Sequence, residues 1–464
     1  MALDALCIGE AREQSEEARM LVPRRVALLS LVLAACGTVK PPPVDAGVPD
    51  GGLPVKPSAK ADLTRDVLDV GLDLDLATRA GRASITVAPS TDTGLSFEVG
   101  ALSILSVQLD GQPLDFTVTQ GLARQRRLDI GVPVSTSPST VTIDYGFPER
   151  STFDGWLPSL GVTFLWPYFC SNLFPCHSDP KEGATYSLRV TGAAPGLTVV
   201  APTRIPNPAP SYMPAFAVGD YRYVRLGSTD AGTEVGYYVL PQEADGGVVS
   251  ATAHLVELFD WYERTLGPYA FGPAYASVDV HWGAGEVGGM EHHPFSHLAA
   301  AAFGDENVHA HEAAHGWFGD GVRIACWEDF VLSEGTTDYL AIRAVEVVRG
   351  ATAAQAQWDV ERQLLDDAVA QGDSVAWPDG CSLDLLSSPL WSNIPYTKGA
   401  FFYRRVAAQI GAQRLDAILS SFYLAHRGRP ARMQDMIDHI RAESGFDPGA
   451  LAQKYLRSLG NPEL

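Results

Sequence analysis

Apolar and polar residues alternate with two different periods along this chain. From about Ala61 the period is two. Val67–Leu76 reads VLDVGLDLDL, Ala83–Val87 reads ASITV, and Arg127–Val132 and Thr140–Tyr145 alternate in the same way. Val107–Phe116 holds a turn at Asp110-Gly111. Short alternating runs separated by Gly, Pro, Asp and Ser predict an antiparallel β domain. It continues through Tyr186–Val190 to about Gly227, with Cys170–Pro180 as an irregular loop inside it. Beyond about Glu234 the spacing becomes helical. Leu255, Leu258, Phe259 and Tyr262 mark one face of a helix over Ala253–Leu266. A strand is predicted at Tyr275–Val280, then helices within Ala300–Phe318 and over Glu334–Val348, Pro389–Ile410, Arg414–Ala425 and Met433–Glu443. The pattern therefore predicts an α+β protein, with an N-terminal β domain at 61–230 and a mostly helical domain at 231–464.

Upstream of 61 neither period holds. Arg24-Arg25 precedes the ten-residue apolar stretch Val26–Ala35, and Leu33-Ala34-Ala35-Cys36 has the form of a lipoprotein cleavage box. Ten apolar residues are too few to span a bilayer, so 20–35 reads as a cleaved bacterial signal that leaves Cys36 as a lipidated N-terminus. Residues 1–19 are Glu-rich and lie ahead of that signal, which makes Met20 the expected start. Residues 37–60, with Pro41-Pro42-Pro43, Pro49, Gly51-Gly52, Pro54 and Pro57, read as a semi-extended tether. Together these segments predict an exported lipoprotein held in the cell envelope by an N-terminal membrane anchor.

Composition narrows the picture. A formal net charge of −21 leaves no basic stripe to displace phosphate counterions, which argues against nucleic acid as a partner. Six cysteines are present, and Cys7 and Cys36 fall in the upstream segment. In an exported protein the other four, Cys170, Cys176, Cys326 and Cys381, suggest two disulfides with three possible connectivities. Cys170–Cys176 with Cys326–Cys381 would keep each bridge local to one domain.

The densest chemistry lies at His311-Glu312-Ala313-Ala314-His315, with Glu334 eighteen residues further on. Histidines four apart on a helix share one face and can hold one Zn²⁺ through ring nitrogens. Glu312 stands about 100° round the helix from His311, beside the metal, where a carboxylate can take a proton from water. Glu334 on the next helix supplies the third ligand, leaving the open position of a catalytic site. Asp338, four residues after Glu334, can accept the distal N–H of a zinc histidine. Seven of the eleven histidines lie between His281 and His315, but no second ligand set has recognisable spacing, so one zinc per chain is expected. Two further clusters bear on chemistry. Gly288-Gly289-Met290-Glu291 pairs backbone that can approach a ligand closely with a carboxylate suited to a free α-ammonium group. Tyr396, in Pro395-Tyr396-Thr397-Lys398-Gly399, carries a phenol that can donate to an oxyanion.

In combination these motifs resemble peptidase family M1, the zinc aminopeptidases that include aminopeptidase N and leukotriene A4 hydrolase. The family's HExxH-x18-E matches His311, Glu312, His315 and Glu334, and its Trp-Phe-Gly matches Trp317-Phe318-Gly319. Its W-x-D-x-x-L-x-E-G matches Trp327, Asp329, Leu332, Glu334 and Gly335. Its G-x-M-E-N appears as Gly288, Met290 and Glu291, with His292 in place of Asn. Its Tyr-x-Lys-Gly matches Tyr396, Lys398 and Gly399, and F-P-C-x-x-x-P matches Phe174, Pro175, Cys176 and Pro180. The resemblance covers about residue 62 to the C-terminus, whose Tyr455-Leu456-Arg457-x-x-Gly460-x-Pro462 is similar to the close of the family's catalytic domain. It implies a saddle-like β domain followed by a thermolysin-like catalytic domain, without the family's large C-terminal helical domain, and a cleft open to longer peptides. It also implies hydrolysis of N-terminal residues from peptides, with Glu312 as general base, Tyr396 stabilising the transition state and Glu291 holding the amine. Many relatives supply a second Glu or Gln for that amine from the β domain. Thr163-Phe164-Leu165-Trp166-Pro167-Tyr168 offers neither here, so amine recognition falls on Glu291. The alternatives are an endopeptidase on the same scaffold and a catalytically silent peptide-binding lipoprotein.

Overall fold

The computed structural model describes residues 62–119, 126–241, 246–282 and 288–463. The signal-like segment, Cys36 and the tether lie outside the described residues.

Period-two alternation becomes sheet as expected. In Val67–Asp75 the side chains of Val70, Leu72 and Leu74 are buried while Leu68 and Asp73 face solvent. This strand is the third of a seven-stranded sheet ordered Arg204–Ala209, Ala184–Thr191, Val67–Asp75, Ala80–Val87, Ser139–Gly146, Ser103–Leu109 and Gln112–Pro113. Asp110 and Gly111 turn the last hairpin with φ of 48° and 81°, the two positive angles of a turn that follows strand twist. A three-stranded and a four-stranded sheet complete the first half. One pairing departs from the antiparallel expectation: Val67–Asp75 runs parallel to Ala184–Thr191, with Asp69 opposite Thr185. Alternation reports which face a side chain takes and carries no information on the direction of a distant neighbour.

The second half opens on a five-stranded sheet ordered Arg222–Ser228, Glu234–Val239, Ala274–Val280, Phe295–Ala299 and Gly289–Met290. Its first two strands form a hairpin, so the expected division at 230/231 falls inside this sheet, and the change of sheet comes before Arg222. The helices of this half are α1 (Gly246–Ala251), α2 (Leu255–Leu266), α3 (Glu306–Ala314), α4 (Phe330–Arg349), α5 (Ala351–Gly372), α6 (Ile394–Ile410), α7 (Ala412–His426), α8 (Met433–Ser444) and α9 (Gly449–Tyr455), of which α2 and α3 pack on the sheet and the others pack largely on one another. Among the described residues no helix is long and apolar enough to cross a membrane.

Helix α4 is central, with every residue from Phe330 to Ile342 buried. It meets α6 where Gly335 faces Gly399: a Cβ on Gly335 would stand 2.5 Å from Gly399 Cα. Two glycines at the crossing let the backbones touch, which brings Tyr396 of α6 beside the residues of α3 and α4. Helix α5 was not expected. Its buried residues, Ala354, Trp358, Glu361 and Leu365, follow helical spacing, but only two are large and apolar, so propensity was the stronger signal there.

Both disulfides form, Cys170–Cys176 within the β half and Cys326–Cys381 within the helical half. A buried guanidinium joins the halves. Arg323 donates to the carbonyls of Pro208 at 2.7 Å, Gly428 at 3.1 Å and Lys181 at 3.2 Å.

Candidate metal centre

Helix α3 begins at Asp305, whose carboxylate accepts from Asn307 N at 2.8 Å, and His315 closes it. One face carries His311 and His315, and α4 presents Glu334 opposite. The three donor atoms converge. His311 Nε2 and His315 Nε2 are 3.0 Å apart, and Glu334 Oε2 lies 3.3 Å from the first and 3.4 Å from the second. Donors about 2.0–2.1 Å from a tetrahedral zinc stand roughly 3.3 Å from one another.

The outer ring atoms decide what this triangle can hold. His311 Nδ1 lies 2.6 Å from Asp338 Oδ1, and His315 Nδ1 lies 3.0 Å from the Phe318 carbonyl. Both partners are acceptors, so each Nδ1 carries the proton and each Nε2 turns a lone pair inward. Two lone pairs and a carboxylate oxygen at this separation call for a cation, and the mixed nitrogen and oxygen set fits zinc. Asp338 therefore sits where the sequence put it. Asp338→Asn is expected to lower zinc affinity on the order of ten-fold, since an amide accepts more weakly and leaves the imidazole less basic. An unchanged zinc titration would rule the role out.

Glu312 is adjacent to the triangle and outside it. Its Oε2 has no hydrogen-bond partner, and burial pushes its carboxyl up to about 7 despite the pull of His311 and His315. It lies against Gly289, where any Cβ would overlap the carboxylate. Of the glycine-rich run, Gly289 thus makes room for Glu312 and Glu291 lines the cavity. Gly288 is exposed, and the Met290 side chain packs in the core. The Tyr396 ring lies nearly parallel to His311, with centroids 5.9 Å apart and planes 22° from each other. Lys398 of the same motif points away, donating to the carbonyls of Ser374 at 2.9 Å and Ser458 at 3.0 Å.

Next to the triangle is a narrow cavity lined by Glu291, Ser333, Glu334 and Gly319, with Trp166, Tyr212, Ile324, Trp327 and Phe330 as largely apolar walls. Trp166 takes the place where an amide or acid was sought. Two polar residues here escaped the sequence reading. Tyr212 comes from a β-domain loop without a motif, and Asp320 stands five residues after His315, where its spacing might have been noticed. Two of the surplus histidines serve structure. His293 Nε2 donates to the Glu312 carbonyl at 2.8 Å while Nδ1 pairs with the Tyr269 hydroxyl at 2.7 Å, and His309 bonds Ser277 and the Phe303 carbonyl.

Residues 300–455 match the model of the Peptidase family M1 domain. A leucine aminopeptidase 2-1 of Meyerozyma guilliermondii is 25% identical over 413 residues, covering 80% of this chain and 64% of its own length. The chain thus spans less than two thirds of that curated relative. Native yeast LTA4 hydrolase superposes with a TM-score of 0.72 at 20% identity, over 86% of this chain and 69% of that one. An M1 zinc metallopeptidase from Deinococcus radiodurans superposes with a TM-score of 0.67 at 19% identity, over 85% of this chain and 95% of that one. Residues 300–455, which hold all three metal ligands and Glu312, thus match a Peptidase family M1 domain, and the two-part fold is shared with these solved structures.

Proposed function

We propose that the protein is a zinc-dependent aminopeptidase. The observation that carries this reading is the placing of a second buried carboxylate, Glu291, in the cavity that Glu334 also lines. Zinc held by His311, His315 and Glu334 supplies a Lewis acid that polarises a peptide carbonyl and acidifies water. Glu312, raised by burial, takes a proton from water and returns it to the departing amine. Tyr396 donates from its phenol to the oxygen on which charge develops. Gly289–Met290 forms the edge of the five-stranded sheet, where an extended peptide backbone can pair with it. Glu291 holds the α-ammonium group and so sets cleavage at the first bond.

The test compares aminoacyl anilides with their N-acetylated forms, with and without chelator. Blocking the amine leaves Glu291 buried without its cation, so kcat/KM is expected to fall on the order of 100-fold. Equal or faster cleavage of blocked or internal bonds would select an endopeptidase. Failure to cleave either substrate with zinc bound would select a peptide-binding module.

We also infer that the protein is an exported bacterial lipoprotein, tethered through Cys36. Supporting this are the box Leu33–Cys36 and the two disulfides, which suit an oxidising compartment. Cys36→Ala is expected to move the protein from the membrane to the soluble fraction. Retention of that variant in the membrane fraction would remove the anchor from consideration.

A further inference from the structure

The cavity beside the metal ligands holds more negative charge than the zinc chemistry uses. Glu291 is 6% exposed, and among the described residues no Lys or Arg forms an ion pair with it. A buried carboxylate without a cation is costly, so the subsite is built to receive one. What orients this carboxylate is the open question, because the β-domain segment Thr163–Tyr168 contributes the Trp166 indole and no polar side chain to the cavity. The neighbouring polar atom is the phenol of Tyr212, buried to 6% exposure. Its hydroxyl stands 3.3 Å from Asp320 Oδ1, and Tyr212 and Glu291 line the same cavity, where the phenol acts on the Glu291 carboxyl. Asp320 is fully buried. Its main-chain N–H donates to the His315 carbonyl at 3.2 Å, and its Oδ2 has no partner. A phenol has one proton to give and one oxygen that accepts, so it bonds two carboxyl groups at once when one of them keeps its own proton, and the three groups then act as a single unit.

We propose that Tyr212 and Asp320 are positioning residues for the substrate's α-ammonium group: Tyr212 orients the Glu291 carboxylate towards the cavity, and Asp320, anchored to the turn after α3, orients Tyr212. The proposal rests on the aminopeptidase reading and extends it. The β domain then does contribute a polar group to amine recognition, from the loop at Tyr212, while Trp166 supplies an apolar wall. Asp320 supplies a hydrogen-bonding partner behind the phenol, and the Glu291 carboxylate in front of it selects a compact cation and disfavours a blocked, neutral N-terminus. It also ties the amine seat to the segment that follows His315, which fixes the distance between the amine seat and the ligands.

The test uses the zinc-loaded full chain. Tyr212→Phe deletes one oxygen and keeps the ring. Loss of a hydrogen bond to a charged group is expected to raise KM for leucine p-nitroanilide about ten-fold, with kcat changed by less than about three-fold. Zinc should remain at one per chain. Competition by L-leucinamide should weaken by the same factor as KM, so that the discrimination between leucinamide and N-acetyl-leucinamide collapses. Asp320→Asn, which keeps an oxygen facing Tyr212, should raise KM less than Asp320→Ala does. The proposal is overturned if Tyr212→Phe keeps the wild-type KM, if kcat falls in place of a rise in KM, or if both competitors weaken equally. Should Tyr212→Phe not fold by thermal unfolding, the Asp320 pair decides, and equal KM for Asn and Ala overturns it. If wild-type protein cleaves no free-amine anilide, the aminopeptidase reading itself has failed. If it does and the variants match it, only this inference has.

Discussion

Glu312→Gln is expected to retain zinc and to lose hydrolysis by on the order of 10²–10⁴-fold. The amide has the shape of the carboxylate, so it fills the space that Gly289 leaves and disturbs neither His311 nor His315. Retention of zinc follows from Glu312 standing outside the triangle of His311, His315 and Glu334. What is lost is the proton acceptor: an amide cannot take a proton from water near neutral pH, whereas a carboxyl that burial raises to about 7 can do so and can give the proton back. Metal content and kcat on leucine p-nitroanilide are the two measurements. Near wild-type turnover with zinc bound would refute the assignment of Glu312 as the base.

Glu334→Ala is expected to remove the metal itself. Two neutral imidazoles 3.0 Å apart would remain, with no anion to balance a dication in a buried setting. Affinity should fall at least 100-fold, beyond the usual effect of altering an outer partner such as Asp338. Because zinc binds the folded state, each 100-fold loss in affinity removes about 2.7 kcal/mol of zinc-linked stability at saturating metal. The rise in melting temperature on adding zinc should therefore largely vanish, and dialysed protein should hold no zinc. A variant that keeps one zinc per chain and the full thermal shift would show that another residue is the third ligand.

The contrast between Asp338 and Tyr212 shows what a sequence can disclose. Asp338 was found because a helix converts spacing into direction: four residues past Glu334 is the same face, and His311 waits there. The same local geometry made His311, Glu312 and His315 legible. Tyr212 lies 108 residues before Asp320, on a loop whose course depends on two packed sheets, and no spacing could announce their meeting. Helix α5 was overlooked for a different reason. It lies against α4 with few large apolar contacts, so its amphipathic signal is weak. The parallel pair Val67–Asp75 with Ala184–Thr191 was hidden because its strands are joined by more than a hundred residues. Cysteine count alone left three pairings open, and folding selected the two local ones.

Arg323 sets a mechanical limit on the cavity. The residues that bound the cavity adjoin its contacts: Pro180 precedes Lys181, Pro210 follows Pro208 by two, and Ile324 succeeds Arg323 itself. Prising the lobes apart would strip the carbonyls of Lys181 and Pro208 together, in a place shielded from water. One rivet therefore gauges the aperture, and an incoming residue is sized against walls that do not yield.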